Sequence, residues 1–249
     1  MIKLTDRLQK IADFIDKGET MADIGTDHGF LPIYLWQNNI CPHVILSDIN
    51  KGPLEKADNN INIYCPDNSF DVRLGSGLEK LELREVDDIV IAGMGGLLII
   101  NILSSDVNKS KSYKKFIFQP RNAPEKLKKW LLENGFYILD SCLVREGKYI
   151  WEIFLAVPEN QLMYNNINNF KIVLNKDKIT DPIDLEISSI LYEKKDPLLV
   201  DFIKNKIKIE EKILNAISNS KNIKNKDKVN KIKERIVKLE FALKKAYEI

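Results

Sequence analysis

The chain has 249 residues, with 38 Lys or Arg against 36 Asp or Glu, a formal charge of +2. That length suits one large domain or a domain with an appendage, and 44% hydrophobic with 30% charged side chains excludes wholesale disorder and collagen-like repeats. No run of about 18 apolar residues occurs, which excludes a transmembrane helix. Residues 1–7 lack the apolar core and cleavage site of a signal peptide, so a cytoplasmic protein with no membrane partner is expected.

In chain order, an opening helix is predicted over residues 3–17, where Leu4, Leu8, Ile11, Ala12 and Ile15 fall at helical spacing before Gly18. A short strand spans 20–24, a helix 31–38 and a second strand 43–48. The next helix, 53–61, has Pro53 in its first turn, where the missing N–H costs nothing. Strands follow at 71–74, 88–92 and 115–119. Helices are expected at 95–103 and at 124–134, the latter ended by Gly135. Segments 136–144 and 149–157 form a closing hairpin around Glu146 and Gly147. The alternation predicts an α/β fold: a doubly wound, Rossmann-like, mostly parallel sheet whose last strand is antiparallel.

After Pro158 the texture changes, and a second domain is expected over 159–249. Residues 159–197 read as a polar connection with helical potential near 185–192. Leu199, Phe202, Lys206, Ile209, Ile213 and Ala216 then step by three and four, as do Val229, Ile232, Ile236, Leu239, Leu243 and Ala246. With a polar hinge at 218–228, this predicts an antiparallel coiled-coil hairpin. Ile203, Ile207, Leu214 and Ile217 widen the first stripe. Residues 1–158 hold 19 basic and 22 acidic side chains, and 159–249 hold 19 and 14. That asymmetry suits a polyanionic partner, although 32 Lys against 6 Arg also fits nucleotide-composition bias.

Cys41, Cys65 and Cys142 are widely spaced, and His28 and His43 are the only histidines. A Cys/His metal site, a disulfide framework and a Ser-His-Asp hydrolase are therefore not expected. The informative residues sit at the strand ends, where open parallel sheets bind ligands. The first turn, Asp23-Ile-Gly25-Thr-Asp27-His28-Gly29, is not G-x-G-x-x-G, because Asp27 occupies the middle glycine position. An extra carboxylate repels a pyrophosphate and suits a cationic ligand such as S-adenosylmethionine, whose ammonium and sulfonium favour Asp23 and Asp27. Asp48, followed by Ile49, can take both ribose hydroxyls as charge-assisted bonds; capping the next helix is the alternative. Gly75-Ser76-Gly77 can lie against adenine. Ala92-Gly93-Met94-Gly95-Gly96 suits a loop drawn tightly around a ligand. Gln119-Pro120-Arg121 ends the fifth strand.

These blocks resemble the bacterial tRNA adenine-22 N1-methyltransferase family, a class I S-adenosylmethionine-dependent group. The resemblance lies in residues 22–32, 72–78, 91–96, 119–120 and 148–152 and covers about 1–158; the family's helical C-terminal domain matches 159–249 in architecture. It implies methyl transfer from S-adenosylmethionine to N1 of adenine 22 in the D-arm of tRNA, without metal. Asp27 and His28 become the catalytic candidates, stabilising the cationic product ring or accepting a proton. Arg7, Gln119, Pro120, Arg121 and Tyr149 become substrate contacts. Lys204, Lys206, Lys208, Lys224, Lys226, Lys228, Lys231 and Lys233 become a second electrostatic grip on tRNA. Two departures stand out: Ser76 replaces the family's usual aspartate, and Arg121 stands where asparagine is common. A methyltransferase of another substrate and a non-catalytic RNA-binding adaptor stay open. A monomer is expected, with a dimer as the alternative.

Overall fold

The computed structural model describes residues 2–66, 70–165, 173–218 and 226–249. The chain divides into two compact units, Met1–Ile179 and Thr180–Ile249. In the first, α1 (Asp6–Ala12) precedes β1 (Met21–Ile24), α2 (Phe30–Gln37), β2 (Val44–Asp48), α3 (Lys51–Tyr64), β3 (Asp71–Leu74) and β4 (Asp88–Ala92). Then come α4 (Gly96–Ser104), a four-residue helix α5 (Val107–Ser110), β5 (Lys115–Gln119), α6 (Pro124–Glu133), β6 (Phe136–Glu146) and β7 (Tyr149–Pro158).

The seven strands lie in the order β3-β2-β1-β4-β5-β7-β6. The first five are parallel; β7 runs antiparallel to both β5 and β6. The last strand is thus antiparallel as expected, but it lies between β5 and β6 rather than at the sheet's edge. The chain runs outward from β1 to β3, then restarts at β4 on the other side of β1. This reversal is a topological switch point, and it opens a crevice at the carboxyl ends of β1 and β4.

The core follows from side-chain alternation along each strand. Met21, Val44, Leu46, Val90 and Ile117 join Ile11 and Ala12 of α1, Leu31, Ile33 and Leu35 of α2, and Ala57 and Ile61 of α3. The intervening Ile89, Ile91, Phe116 and Phe118 are equally buried and point to the opposite face. Helix α1 is shorter than the predicted 3–17. After Ala12 the N–H groups of Phe14 and Ile15 donate three residues back, to Ile11 and Ala12; this tighter winding still buries Ile15.

The first unit extends beyond the boundary expected at Pro158. Leu174 and Ile138 exchange both backbone hydrogen bonds, at 2.9 and 3.0 Å, and this pairing draws the polar connection onto β6.

The second unit contains α7 (Pro182–Glu186), α8 (Ser189–Glu193), α9 (Leu199–Ser218) and α10 (Lys226–Tyr247). The residues of the predicted hinge at 219–225, Lys224 among them, and the side chain of Lys226 lie outside the described residues. Helices α9 and α10 run antiparallel. Lys204 lies over the Tyr247 ring at 5.4 Å, and Arg235 Nε meets Glu210 Oε1 at 2.8 Å. The apolar stripe of α10 falls where predicted, with Ile232, Leu239 and Ala246 buried. That of α9 does so only at its start, where Leu199 and Phe202 are buried; further along, Ile209, Ile213 and Ala216 are exposed, and Ile207, Leu214 and Ile217 are half-buried instead. No helix among the described residues is long and apolar enough to cross a membrane.

Candidate active site

The carboxyl ends of β1 and β4 open into a cleft of about 470 Å³, a size suited to a small ligand. Strand β1 delivers Asp23. Beyond it, Gly25 and Thr26 donate their N–H groups to the Ser47 carbonyl at 2.7 and 3.1 Å, folding the turn over the end of β2. Gly25 has φ +81°, and a Cβ there would lie 2.0 Å from Met94 Cε. Only glycine permits both that backbone conformation and that approach.

Of the predicted cofactor residues, Asp23, Gly25, Asp27, Ala92 and Gly93 line the cleft. Of the predicted substrate residues, Arg7 and Arg121 line it. His28 lines it too, along with Thr5, Leu8 and Phe30. Burial pushes the Asp23 carboxyl up to about 6. The Thr26 hydroxyl and the Arg7 guanidinium pull it down, and the negative Asp48 pushes it up. Arg7 is held by Glu146, at 3.3 Å from Nε, and by Gln119, at 3.2 Å from Nη1. Arg7 and Gln119, predicted separately, are therefore direct partners. Among the described residues Arg121 makes no side-chain hydrogen bond or ion pair; its guanidinium lies alongside Gly93.

The other predicted residues stand beside this cleft rather than on its wall. Asp48 accepts from the Asn50 N–H at 2.7 Å, and its own carbonyl accepts from Gly75 at 3.0 Å, so the ends of β2 and β3 are tied together. Ile49, next to Asp48, is 64% exposed. The Gly75-Ser76-Gly77 turn is closed by Glu79. The Ser76 N–H donates to the Glu79 carboxylate at 3.4 Å, and the Glu79 N–H donates to the Ser76 carbonyl at 3.0 Å. Met94 reaches back over Gly25, and Gly95 leaves room for Asn122, whose Oδ1 would be 3.0 Å from a Cβ. Pro120 is buried. Tyr149 is set apart: it pairs with Glu146 across the hairpin, stacks on Trp151 at 5.2 Å and carries Lys148 over its ring.

Asp27 and His28 touch each other, Oδ2 to Nε2 at 3.2 Å, and the His28 ring stacks on Phe30 at 5.3 Å. Residues that the motifs did not single out complete this loop. Lys56 Nζ lies 3.2 Å from Asp27 Oδ1, and Asn60 Nδ2 donates to the His28 carbonyl at 2.9 Å. Both come from α3, and no local pattern links them to the β1 turn.

In the second unit, Lys206 is paired with Glu186 at 3.6 Å and Lys204 with the Tyr247 ring. Two of the eight lysines expected to grip RNA thus already have partners within the unit.

A family model described as "Methyltransferase domain" matches residues 4–154. The chain is 34% identical over 155 residues to the tRNA (adenine(22)-N(1))-methyltransferase of Bacillus subtilis, a match covering 62% of this chain and 65% of that protein. The chain thus spans just under two thirds of the length of that curated relative. The solved B. subtilis m1A22 tRNA methyltransferase TrmK superposes with a TM-score of 0.81 at 26% identity, covering 98% of this chain and 100% of the other. TrmK of M. capricolum, solved with the cofactor product S-adenosyl-homocysteine, gives 0.77 at 26% identity over 98% and 99%.

Proposed function

The chain belongs to the methyltransferase-domain family, and from that membership we propose that it transfers a methyl group from S-adenosylmethionine to N1 of adenine 22 in the D-arm of tRNA. The observation that carries this reading is Asp23. It is a half-buried carboxylate on the cleft wall, beside a turn whose glycine admits close approach, and it forms no ion pair among the described residues. Such a group calls for a cationic ligand. The rest of the rim fits S-adenosylmethionine as well. Asp48 keeps one carboxylate oxygen for a ribose diol, and the buried Ser47 hydroxyl lacks a partner among the described residues. Glu79 brings a carboxylate to the turn where Ser76 supplies none. The B. subtilis relative and its solved structure support the choice of tRNA and of adenine 22.

In this reading Asp23 and Asp27 face the cationic amino-acid portion, Asp48 and Ile49 the ribose, and Gly75, Ser76 and Gly77 the adenine. The backbone of Ala92, Gly93, Met94 and Gly95 closes around the reacting centre. S-adenosylmethionine supplies a methyl on a sulfonium, already activated for displacement. The protein's own task is then positioning, where holding both reactants in line can contribute roughly 7–11 kcal/mol. Adenine N1 is nucleophilic without a base. The methylated ring is cationic, and Asp27 at the cleft wall stabilises that charge, with His28 beside it. Arg7 and Arg121 meet the phosphates flanking a flipped adenosine, with Gln119 and Pro120 shaping the floor. Tyr149, at the hairpin tip, contributes a more distant contact. The lysines of α9 and α10 add a salt-dependent grip.

The test uses two unmodified transcripts of one tRNA, with A or G at position 22, and labelled S-adenosylmethionine. Label only in the A22 transcript, mapped as 1-methyladenine, is the expected result. Equal label in both moves the target elsewhere. Cofactor binding without transfer to either moves the reading to an adaptor.

A further inference from the structure

The β1 turn that carries the catalytic candidates does not hold its shape alone. Three consecutive residues, Asp27, His28 and Gly29, are each met by a residue on one face of α3. Lys56 Nζ takes Asp27 Oδ1 at 3.2 Å, and Asn60 Nδ2 donates to the His28 carbonyl at 2.9 Å. Between them, Ala57 sits beneath Gly29, where a Cβ would come within 3.2 Å of the Ala57 Cβ. Lys56 and Asn60 are four apart, so they stack on the same side of the helix. We propose that Lys56 and Asn60 are positioning residues for methyl transfer: α3 fixes where Asp27 and His28 stand, and Lys56 and His28 between them orient the Asp27 carboxylate. This inference rests on the reading of the cleft as the methyl-transfer site.

The assignment of oxygens carries the argument. Asp27 Oδ1 is taken by Lys56 and Oδ2 by His28 Nε2 at 3.2 Å. Both oxygens of the carboxylate therefore have a partner. Side chains of Asp27 and Lys56 are 62% and 55% exposed. An ion pair so exposed contributes little to stability, so a loss of kcat in Lys56→Ala without a loss of melting temperature reports orientation. His28 is restrained from three sides, by Asp27 at the ring, Phe30 under the ring and Asn60 at the backbone. Misplacement by a fraction of an ångström is enough to slow a reaction that depends on alignment.

The variants are Lys56→Ala, Lys56→Arg and Asn60→Ala, assayed beside the wild type on the A22 and G22 transcripts. In Lys56→Ala and Asn60→Ala, kcat should fall about tenfold, while KM for tRNA and Kd for S-adenosylmethionine stay within about threefold. Lys56→Arg should recover most of kcat, because a guanidinium spans the same gap. A second readout needs no cofactor. The chain has two histidines, so the His28 imidazole signals can be followed by NMR against His43. They should shift and broaden in Lys56→Ala while those of His43 do not.

Unchanged kcat and unchanged His28 signals in an active, folded protein would overturn the proposal. So would a kcat loss that tracks a fall in melting temperature, which is what a merely structural role produces. If the wild type labels neither transcript, the methyl-transfer reading fails instead, and the histidine signals still decide whether α3 holds the loop.

Discussion

At the amino ends of the central strands, acidic side chains surround a buried cation; at the carboxyl ends of the same strands, they face a cleft. Lys115, at the start of β5, has a side chain only 3% exposed. It meets Asp16 and Glu19 at 2.6 Å each and Asp88 at 3.6 Å. Burial works against its charge, yet Asp88, Asp16 and Glu19 together hold its pKa up at about 12. At the other rim, burial raises Asp23 to about 6, and neither Asp23 nor Asp48 forms an ion pair among the described residues. One rim gathers three acids around a single cation, although burial pushes the Asp88 carboxyl well up and neither of its oxygens has a hydrogen bond among the described residues. The other pairs Asp27 with Lys56 but leaves Asp23 and Asp48 without an ion pair among the described residues, a cost that a cationic ligand removes.

Removing a charge should therefore have opposite consequences at the two rims, and the amino rim gives the larger effect. Lys115→Met leaves Asp88 fully buried without its cation, and breaking a buried pair costs about 3–5 kcal/mol. Urea unfolding should show that loss, and adding Asp88→Asn should recover part of it. A loss below about 1 kcal/mol would mean that the cluster behaves as a surface pair and that the contrast between the rims is false.

At the carboxyl rim, Asp23→Asn should weaken S-adenosylmethionine binding about 10- to 100-fold, the value of a charge-assisted bond. Stability near pH 7.5 should rise by about 1–3 kcal/mol, because a carboxylate no longer has to ionise while buried. The sign follows from the raised pKa. The folded state holds a proton that the unfolded chain releases, so this stabilisation is complete below the ordinary 3.8 and is lost as pH rises through about 6. The ligand selects the ionised form, so wild-type affinity should fall about tenfold per pH unit below 6 and stay flat in Asp23→Asn. Calorimetric titration across that range reads both slopes. A flat wild-type profile would place Asp23 outside the cofactor site.

The contrast between the rims was only partly legible in the sequence. Strands 88–92 and 115–119 are legible to the residue, because short apolar runs bounded by polar or turn residues have no competing periodicity; 71–74, Asp-Val-Arg-Leu, is legible without being such a run. The four residues of α5 are too few to show any period. The placement of β7 between β5 and β6 is a tertiary choice that no local pattern encodes. On α9, two apolar stripes compete, and the sequence cannot rank them without knowing what packs on each. The strand-end clusters pointed to one rim because motif residues announce themselves by odd composition, as in Ala92-Gly-Met-Gly-Gly96. Their partners do not: Lys56, Asn60 and Glu146 are ordinary surface types, and only the fold brings them to Asp27, His28 and Arg7. Lys115 is the same case at the other rim, a lysine opening the apolar run Lys-Phe-Ile-Phe-Gln with nothing local to show that three acids enclose it.

Gly25 gives the smallest effect and separates two reasons for a glycine at the open rim. Its φ of +81° disfavours any side chain, and its missing Cβ makes room for Met94 Cε, which would otherwise be 2.0 Å away. Gly25→Ala should cost about 1 kcal/mol of stability from backbone conformation. Steric relief is a different matter, since the end of a methionine swings easily. When Met94 is displaced it moves toward the cleft it borders, and cofactor affinity falls with it. Adding Met94→Ala should then restore much of the S-adenosylmethionine affinity while leaving the stability loss in place. If the double variant recovers stability but not affinity, Met94 acts as packing and the glycine serves the fold. If affinity alone returns, the space above Gly25 belongs to the ligand.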